Sequence, residues 1–345
     1  MHSNITDFGR LADGTPIQQI RLTNDHGLAL SVITFGATIT GIETPDRHGQ
    51  IADVVLGFPD LAGYLGNQPY FGATIGRVAG RITGARFTLD GVEYRLPANN
   101  QANHLHGGIK GLSFRAWTLA GCEQLADRIQ VVMTYRSPDG EEGYPGNVEL
   151  RVTYAVTNAG EVVIDYHAVT DRATPLSLTN HAYFNLAGTG TILDHRLAIY
   201  ADEFYPADSE STLFGTCLRV TPANDLNQIQ RLAEVVPRIA DQHGDLYRVR
   251  RSEPGTLAPT ARLEDPTSGR VMEVATTDSC VQFFASKILS GALVGKGGQA
   301  YPRFAAVCLE CEGYPDGANR PDLEDLILRP GSPYQRTAVY RFSAG

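Results

Sequence analysis

The chain has little of what marks most specialised proteins. Its five cysteines are odd in number and scattered through 345 residues, which argues against a disulfide framework. Cys308 and Cys311 have C-x-x-C spacing, but on an extended strand their side chains point to opposite faces. No second cysteine pair completes a zinc or redox site. Positive charge is in deficit, with 29 Lys+Arg against 38 Asp+Glu and a net charge of −9. No basic run interrupts that balance, so neither nucleic acid nor an anionic membrane surface is an expected partner. No apolar stretch approaches the ~18 residues of a membrane span. The first seven residues lack a basic start and an apolar core, so no signal peptide is expected and the default compartment is the reducing cytoplasm. Gly295-Lys296-Gly297-Gly298-Gln299-Ala300 loosely fits a dinucleotide pattern, yet Tyr301-Pro302 follows, where a helix would have to run; it reads as a surface loop. Helical periodicity is scarce. Only Leu226, Ile229, Leu232 and Val236 share a helix face, between a cap at Asp225 and a stop at Pro237.

What the chain does have is short alternating runs bounded by Gly, Pro, Asn or Asp. Strands are expected over 28–40 (bent at Gly36), 129–135, 148–157, 161–169, 196–200, 258–264, 271–276, 281–285, 304–312 and 337–342. Phe87-Thr88-Leu89, Asp90-Gly91 and Val92 onward form a hairpin signal, because Asp-Gly supplies the positive φ of a type I′ turn. With no βαβ alternation, internal repeat or low-complexity linker, this pattern predicts an all-β protein built as a large antiparallel sandwich. No shift in composition marks a boundary, so 1–345 reads as one domain, and an apolar share of 42% provides for its core.

The run 304–312 closes at Gly313 and Pro315 and carries Glu310 among apolar neighbours. A period of two puts Cys308, Glu310 and Glu312 on one face, Leu309 and Cys311 on the other. A carboxylate there loses hydration, so it is either a paired structural acid or a catalytic group. His104-Leu105-His106-Gly107-Gly108 puts two imidazoles on one face of an extended segment; a metal would need further ligands that the segment does not supply. Within Thr179-Asn180-His181-Ala182-Tyr183-Phe184-Asn185, His181 is either a satisfied core residue or a proton donor working near neutral pH. In Gly76-Arg77-Val78-Ala79-Gly80-Arg81 either guanidinium could grip a carboxylate or sugar hydroxyls. A Glu, two His and an Arg on different strands, with aromatics, are the materials of a carbohydrate site.

Taken in order, these motifs resemble the aldose 1-epimerase (mutarotase) family over nearly the whole chain. They are joined by Gly297-Gly298 before Tyr301-Pro302, by Cys308-Leu309-Glu310 with Tyr314-Pro315-Asp316, and by Leu328-Arg329-Pro330-Gly331 with Tyr334. The resemblance implies a β supersandwich with its site in an open cleft. It also implies Glu310 as general base and His181 as general acid, facing each other across a gap one pyranose wide. Arg81, His106, Gln282, Tyr183 and Asp245 would hold a monosaccharide. The implied reaction moves a proton from the C1 hydroxyl and another to the ring oxygen, opens the ring and recloses it on the other carbonyl face. No electrons leave the sugar, so no cofactor and no metal are expected. A deprotonated Glu310 beside a protonated His181 would suit that chemistry.

The chain departs from the family at three places: Gly80 stands for the usual Asn, Cys311-Glu312 for Thr-Gln, and Gln242-His243-Gly244-Asp245-Leu246-Tyr247 for a Gly-aromatic-Asp-His-Asn stretch. Asp245 is the nearest match to the sugar-binding Asp. Two other readings use the same residues: a non-catalytic carbohydrate-binding or sensing protein, and a glycosidase pairing Glu310 with Asp245 or Glu312. The oligomeric expectation is a monomer or homodimer.

Overall fold

The computed structural model describes residues 1–66, 69–207, 216–239 and 244–345. Its largest sheet has nine antiparallel strands in the order Thr118–Gln124, Arg128–Ser137, Val148–Thr157, Glu161–Thr170, Tyr334–Ala344, Arg270–Thr276, Ala258–Glu264, Arg196–Ile199 and Gln230–Arg231. Two five-stranded sheets lie against it. One is the meander His2–Arg10, Pro16–Thr23, Ala29–Ile33, Thr38–Pro45 and Ile51–Asp53; the other runs Leu218–Arg219, Glu203–Tyr205, Asp245–Arg248, Cys280–Phe284 and Cys308–Glu312. Residues 183–185 stitch these two together. Phe184 bridges both Val55 and Val307, and Leu56 N–H donates to the Tyr183 carbonyl.

One buried apolar cluster draws on all three sheets, including Leu30, Ile39, Val152, Ile164, Tyr340, Phe283 and Leu309. That shared core makes the protein an all-β sandwich. Among the described residues the α-helices are two short ones, Leu61–Leu65 and Leu232–Val235.

Alternation made most strands of the largest sheet readable, and two came out with the expected limits, Val148–Thr157 and Ala258–Glu264. The Asp-Gly hairpin is present: Arg86–Leu89 pairs with Val92–Arg95, and Asp90 and Gly91 take φ of 50° and 80°. Positive φ at both turn residues matches the twist of the flanking strands. Two expectations shift. The helix anticipated around 226–236 shrinks to Leu232–Val235, since Gln230–Arg231 leaves to pair with Arg196–Ile199. Leu226, Leu232 and Val236 are buried while Ile229 is 40% exposed, so the apolar spacing records a loop packed on the core. The strand expected over 304–312 covers only Cys308–Glu312, because Phe304 has φ 63° and turns the chain.

Candidate active site

The strand Cys308–Glu312 organises the site. Its register with Cys280–Phe284 sets Gln282 opposite Glu310. Leu309 and Cys311 enter the main core, while Cys308 joins a second apolar cluster with Tyr183 and Phe284. Glu310 and Glu312 therefore share the face turned away from the main core, as period two requires. That face forms one wall of a cavity of about 230 Å³, lined also by Arg81, His106, His181, Tyr183, Gln282 and Tyr70.

His181 is held from its backbone. Its N–H donates to the Ala73 carbonyl and its own carbonyl accepts from Gly72 N–H, while Asn180 Nδ2 donates to the Gly72 carbonyl. Gly72 is required there, since a Cβ would lie 1.9 Å from the Ile39 carbonyl oxygen. The imidazole lies flat between two phenol rings. It stacks on Tyr183 at 5.0 Å and 8° and on Tyr70 at 6.2 Å and 17°, so its plane is fixed. Nε2 then stands 3.4 Å from Glu310 Oε2. The expected gap of one pyranose between these groups is absent; they are neighbours on one wall.

The charge state is also the reverse of the one expected. Glu310 is 3% and His181 5% exposed, and removal from water penalises whichever form is charged. Burial pushes Glu310 up to about 8, against the opposing field of Arg81, and pulls His181 down to about 4. Both shifts favour the form of the pair in which the shared proton rests on Glu310. The ion pair anticipated for catalysis is its proton isomer, reached by moving that proton across the 3.4 Å contact.

The two candidate histidines part company. His104 turns inward, its Nδ1 2.8 Å from the Pro97 carbonyl and its ring edge-on to Tyr144. His106 has φ 54°, which ends the strand His104–Leu105 and brings its ring to the cavity. The one-face expectation fails because a left-handed residue breaks the alternation. His106 Nδ1 accepts from Gly80 N–H at 3.1 Å, so in the neutral ring Nε2 carries the proton and is a donor. A nitrogen of each of His106 and His181 and an oxygen of Glu310 lie within 4.8 Å of one another, close enough to suggest a cation. The tautomer of His106 opposes that reading, because its lone pair is already engaged by Gly80.

The two arginines separate as well. Arg77 is 2% exposed and donates to the carbonyls of Ser137, Pro138 and Pro145 and to the hydroxyls of Ser137 and Thr174. Arg81 lines the cavity, its Nε bonded to Asn100 Oδ1 at 2.9 Å. Its strand is pinned by Asp316, which accepts from Thr83 N–H at 3.1 Å and Thr83 Oγ1 at 2.8 Å. This explains the Tyr314-Pro315-Asp316 motif after the Glu310 strand.

Asp245 pairs with Phe283 in the sheet, so it has the parity of the core-facing positions. Its neighbours Gly244 and Leu246 line the cavity and it does not; its carboxylate accepts from Tyr247 Oη at 3.4 Å. Gln242 and His243 lie outside the described residues. Two cavity residues with polar side chains escaped the sequence reading, Tyr70 and Asn100. Both sit on connecting segments without periodicity, and a Gly-flanked aromatic pair, Tyr70-Phe71, was the only local hint.

A family model described as aldose 1-epimerase matches residues 18–341. Galactose mutarotase of Rattus norvegicus is 40% identical over 98% of this chain and 98% of its own length. Aldose 1-epimerase of Escherichia coli strain K12 is 30% identical over 96% and 97%. Among solved structures, an aldose epimerase homologue from C. elegans superposes with a TM-score of 0.87 at 30% identity, covering 94% of this chain and 98% of that one.

Proposed function

We propose that this chain, which belongs to the aldose 1-epimerase family and interconverts the α and β anomers of an aldose, does so with Glu310 and His181 as its proton-transfer pair. The observation that carries the assignment is the 3.4 Å contact of Glu310 Oε2 and His181 Nε2 inside the cavity. Anomer exchange moves protons at two oxygens, the C1 hydroxyl and the ring oxygen, both bonded to C1. Two neighbouring groups on one cavity wall can therefore serve both.

In the direction of ring opening, Glu310 removes the C1 hydroxyl proton while His181 delivers one to the ring oxygen. Rotation about C1–C2 presents the other carbonyl face, and closure reverses both transfers. A bound sugar hydroxyl donating to Glu310, together with Arg81, favours the ionised form of Glu310 and so the proton isomer with His181 charged. His106, donating from Nε2, and the fork of Arg81 orient the sugar. Gln282 contacts it from the strand beside Glu310, and Tyr183 fixes the plane of His181. Two placed proton-transfer groups contribute roughly 10²–10⁴-fold each. Asp245 belongs to this assignment only as a support of the strand that carries Gly244 and Leu246.

The substrate class is an aldohexose, with galactose the first choice because the mammalian relatives are named for it. The chain acts as one mutarotase-like domain, a reading supported by the span of the family match. It works without a cofactor as a cytoplasmic monomer or homodimer, away from nucleic acid and membranes; no helix among the described residues is long and apolar enough to cross a bilayer.

The test is anomer exchange of galactose, followed by NMR, for wild type, Glu310→Gln and His181→Asn. Wild type should equilibrate the sugar far faster than buffer, and each variant should lose at least about 10²-fold in kcat. Wild-type rates at the buffer level, or full activity in either variant, would refute the assignment.

A further inference from the structure

Glu312 is the one cavity carboxyl that the reaction does not use. It is 2% exposed, its Oε2 is buried with no hydrogen-bond partner, and it lines the same cavity as Glu310. A structural acid would have a basic or amide partner, since leaving a buried polar atom unpaired costs about 1–3 kcal/mol. Here the surroundings are Glu310, Asp278 and Glu324, with Arg81 the opposing charge, and burial followed by Glu310 raises its proton affinity well above the usual carboxylate range. That environment favours the protonated carboxyl, which has one O–H to donate and one oxygen to accept.

The route to it is kept open by Gly80. That residue has φ 69°, and a Cβ there would come within 2.5 Å of the Pro315 side chain and 3.5 Å of Glu312 Oε1. A side chain at this position would displace Pro315 and come into contact with the Glu312 carboxyl.

We infer that Glu312 is a specificity-determining residue, whose carboxyl exchanges a reciprocal pair of hydrogen bonds with a sugar hydroxyl on the part of the ring remote from C1. The position follows from the strand. Glu312 lies two residues beyond Glu310 on the same face, about 6.6–6.8 Å along the chain, so when Glu310 holds the anomeric hydroxyl Glu312 meets a substituent further round the ring. A hydroxyl both donates and accepts, as a neutral carboxyl does, and satisfies it completely. The inference rests on the anomer-exchange reading of the site.

The experiment measures kcat/KM for exchange of galactose and of 3-deoxy-, 4-deoxy- and 6-deoxygalactose on wild type, Glu312→Met and Glu312→Gln. Met keeps the volume and removes every polar atom, and it relieves a buried acid, so the variant should fold. In wild type one deoxy sugar should lose at least about 10-fold against galactose, because a site built to bond a hydroxyl rejects the analogue without it. In Glu312→Met that penalty should fall to about unity while the other two penalties stay as they were. Glu312→Gln, which can still donate and accept, should keep part of the discrimination. The inference is overturned if the three penalties are the same in wild type and Glu312→Met, or if all four sugars fall by one common factor, which would mean that Glu312 acts only through Glu310. A wild type that exchanges none of the sugars would overturn the functional reading and this inference together; normal exchange of galactose with unchanged penalties overturns this inference alone.

Discussion

Arg77 and Glu310 are buried to the same degree, 2% and 3% exposed, and the protein treats them in opposite ways. Around Arg77 five donor contacts end on three carbonyls and two hydroxyls, all from segments that must meet for the sandwich to close. Around Glu310 the contact is the His181 imidazole at 3.4 Å, and Glu312 Oε2 has no hydrogen-bond partner among the described residues. A buried polar group fully bonded by its own chain holds the fold; one left short of partners beside a cavity is held ready for a ligand. The two arginines of one short motif divide along the same line, Arg77 inward and Arg81 towards the cavity.

The comparison can be broken from either end. The largest effect should come from Glu310→Gln, a loss of about 10²–10⁴-fold in kcat with folding intact, read by NMR exchange and a thermal melt. Arg77→Met should do the converse. It strands the buried carbonyls of Ser137 and Pro145 and should reduce unfolding free energy by about 3–5 kcal/mol in denaturant titrations, with kcat per folded molecule within a few-fold. Equal activity losses for the two variants would erase the distinction. Next in size, Arg81→Lys should raise KM by about 10-fold while sparing kcat, since a point charge cannot replace a guanidinium fork that bonds Asn100 and has donors left for the proposed sugar.

The remaining effect is on stability against pH. The folded-state value of Glu310, about 8, lies above its ordinary 4.5. Its contribution is therefore fully present below 4.5 and is lost as pH rises through 8. Wild type should lose roughly 1.4 kcal/mol per pH unit from this group inside that window. Glu310→Gln should flatten the slope, and chemical denaturation at several pH values would show it.

Much of this was legible in the chain, for reasons that differ by residue. The face shared by Glu310 and Glu312 follows from period two, and the hairpin at Asp90-Gly91 from turn chemistry; both are local rules that the sandwich did not need to override. The separation of His104 from His106 was not legible, because it depends on a positive φ at a residue with a Cβ. Tyr70 and Asn100 reach the cavity from connecting segments, where only contacts distant in sequence decide direction. The spacing of Glu310 and His181 was misjudged because the motifs name the partners without their separation. Their protonation was misjudged because it depends on how completely the sandwich removes water from both.

The central claim is that this pair shares one proton across a buried contact in the cavity wall, and the pH dependence of kcat/KM for galactose exchange tests it most directly. A bell is expected, with limbs near pH 4 and pH 8 belonging to the pair, its alkaline limb lost in the residual activity of Glu310→Gln. A profile flat from pH 5 to beyond pH 9, or limbs that do not move when Glu310 is replaced, would contradict it.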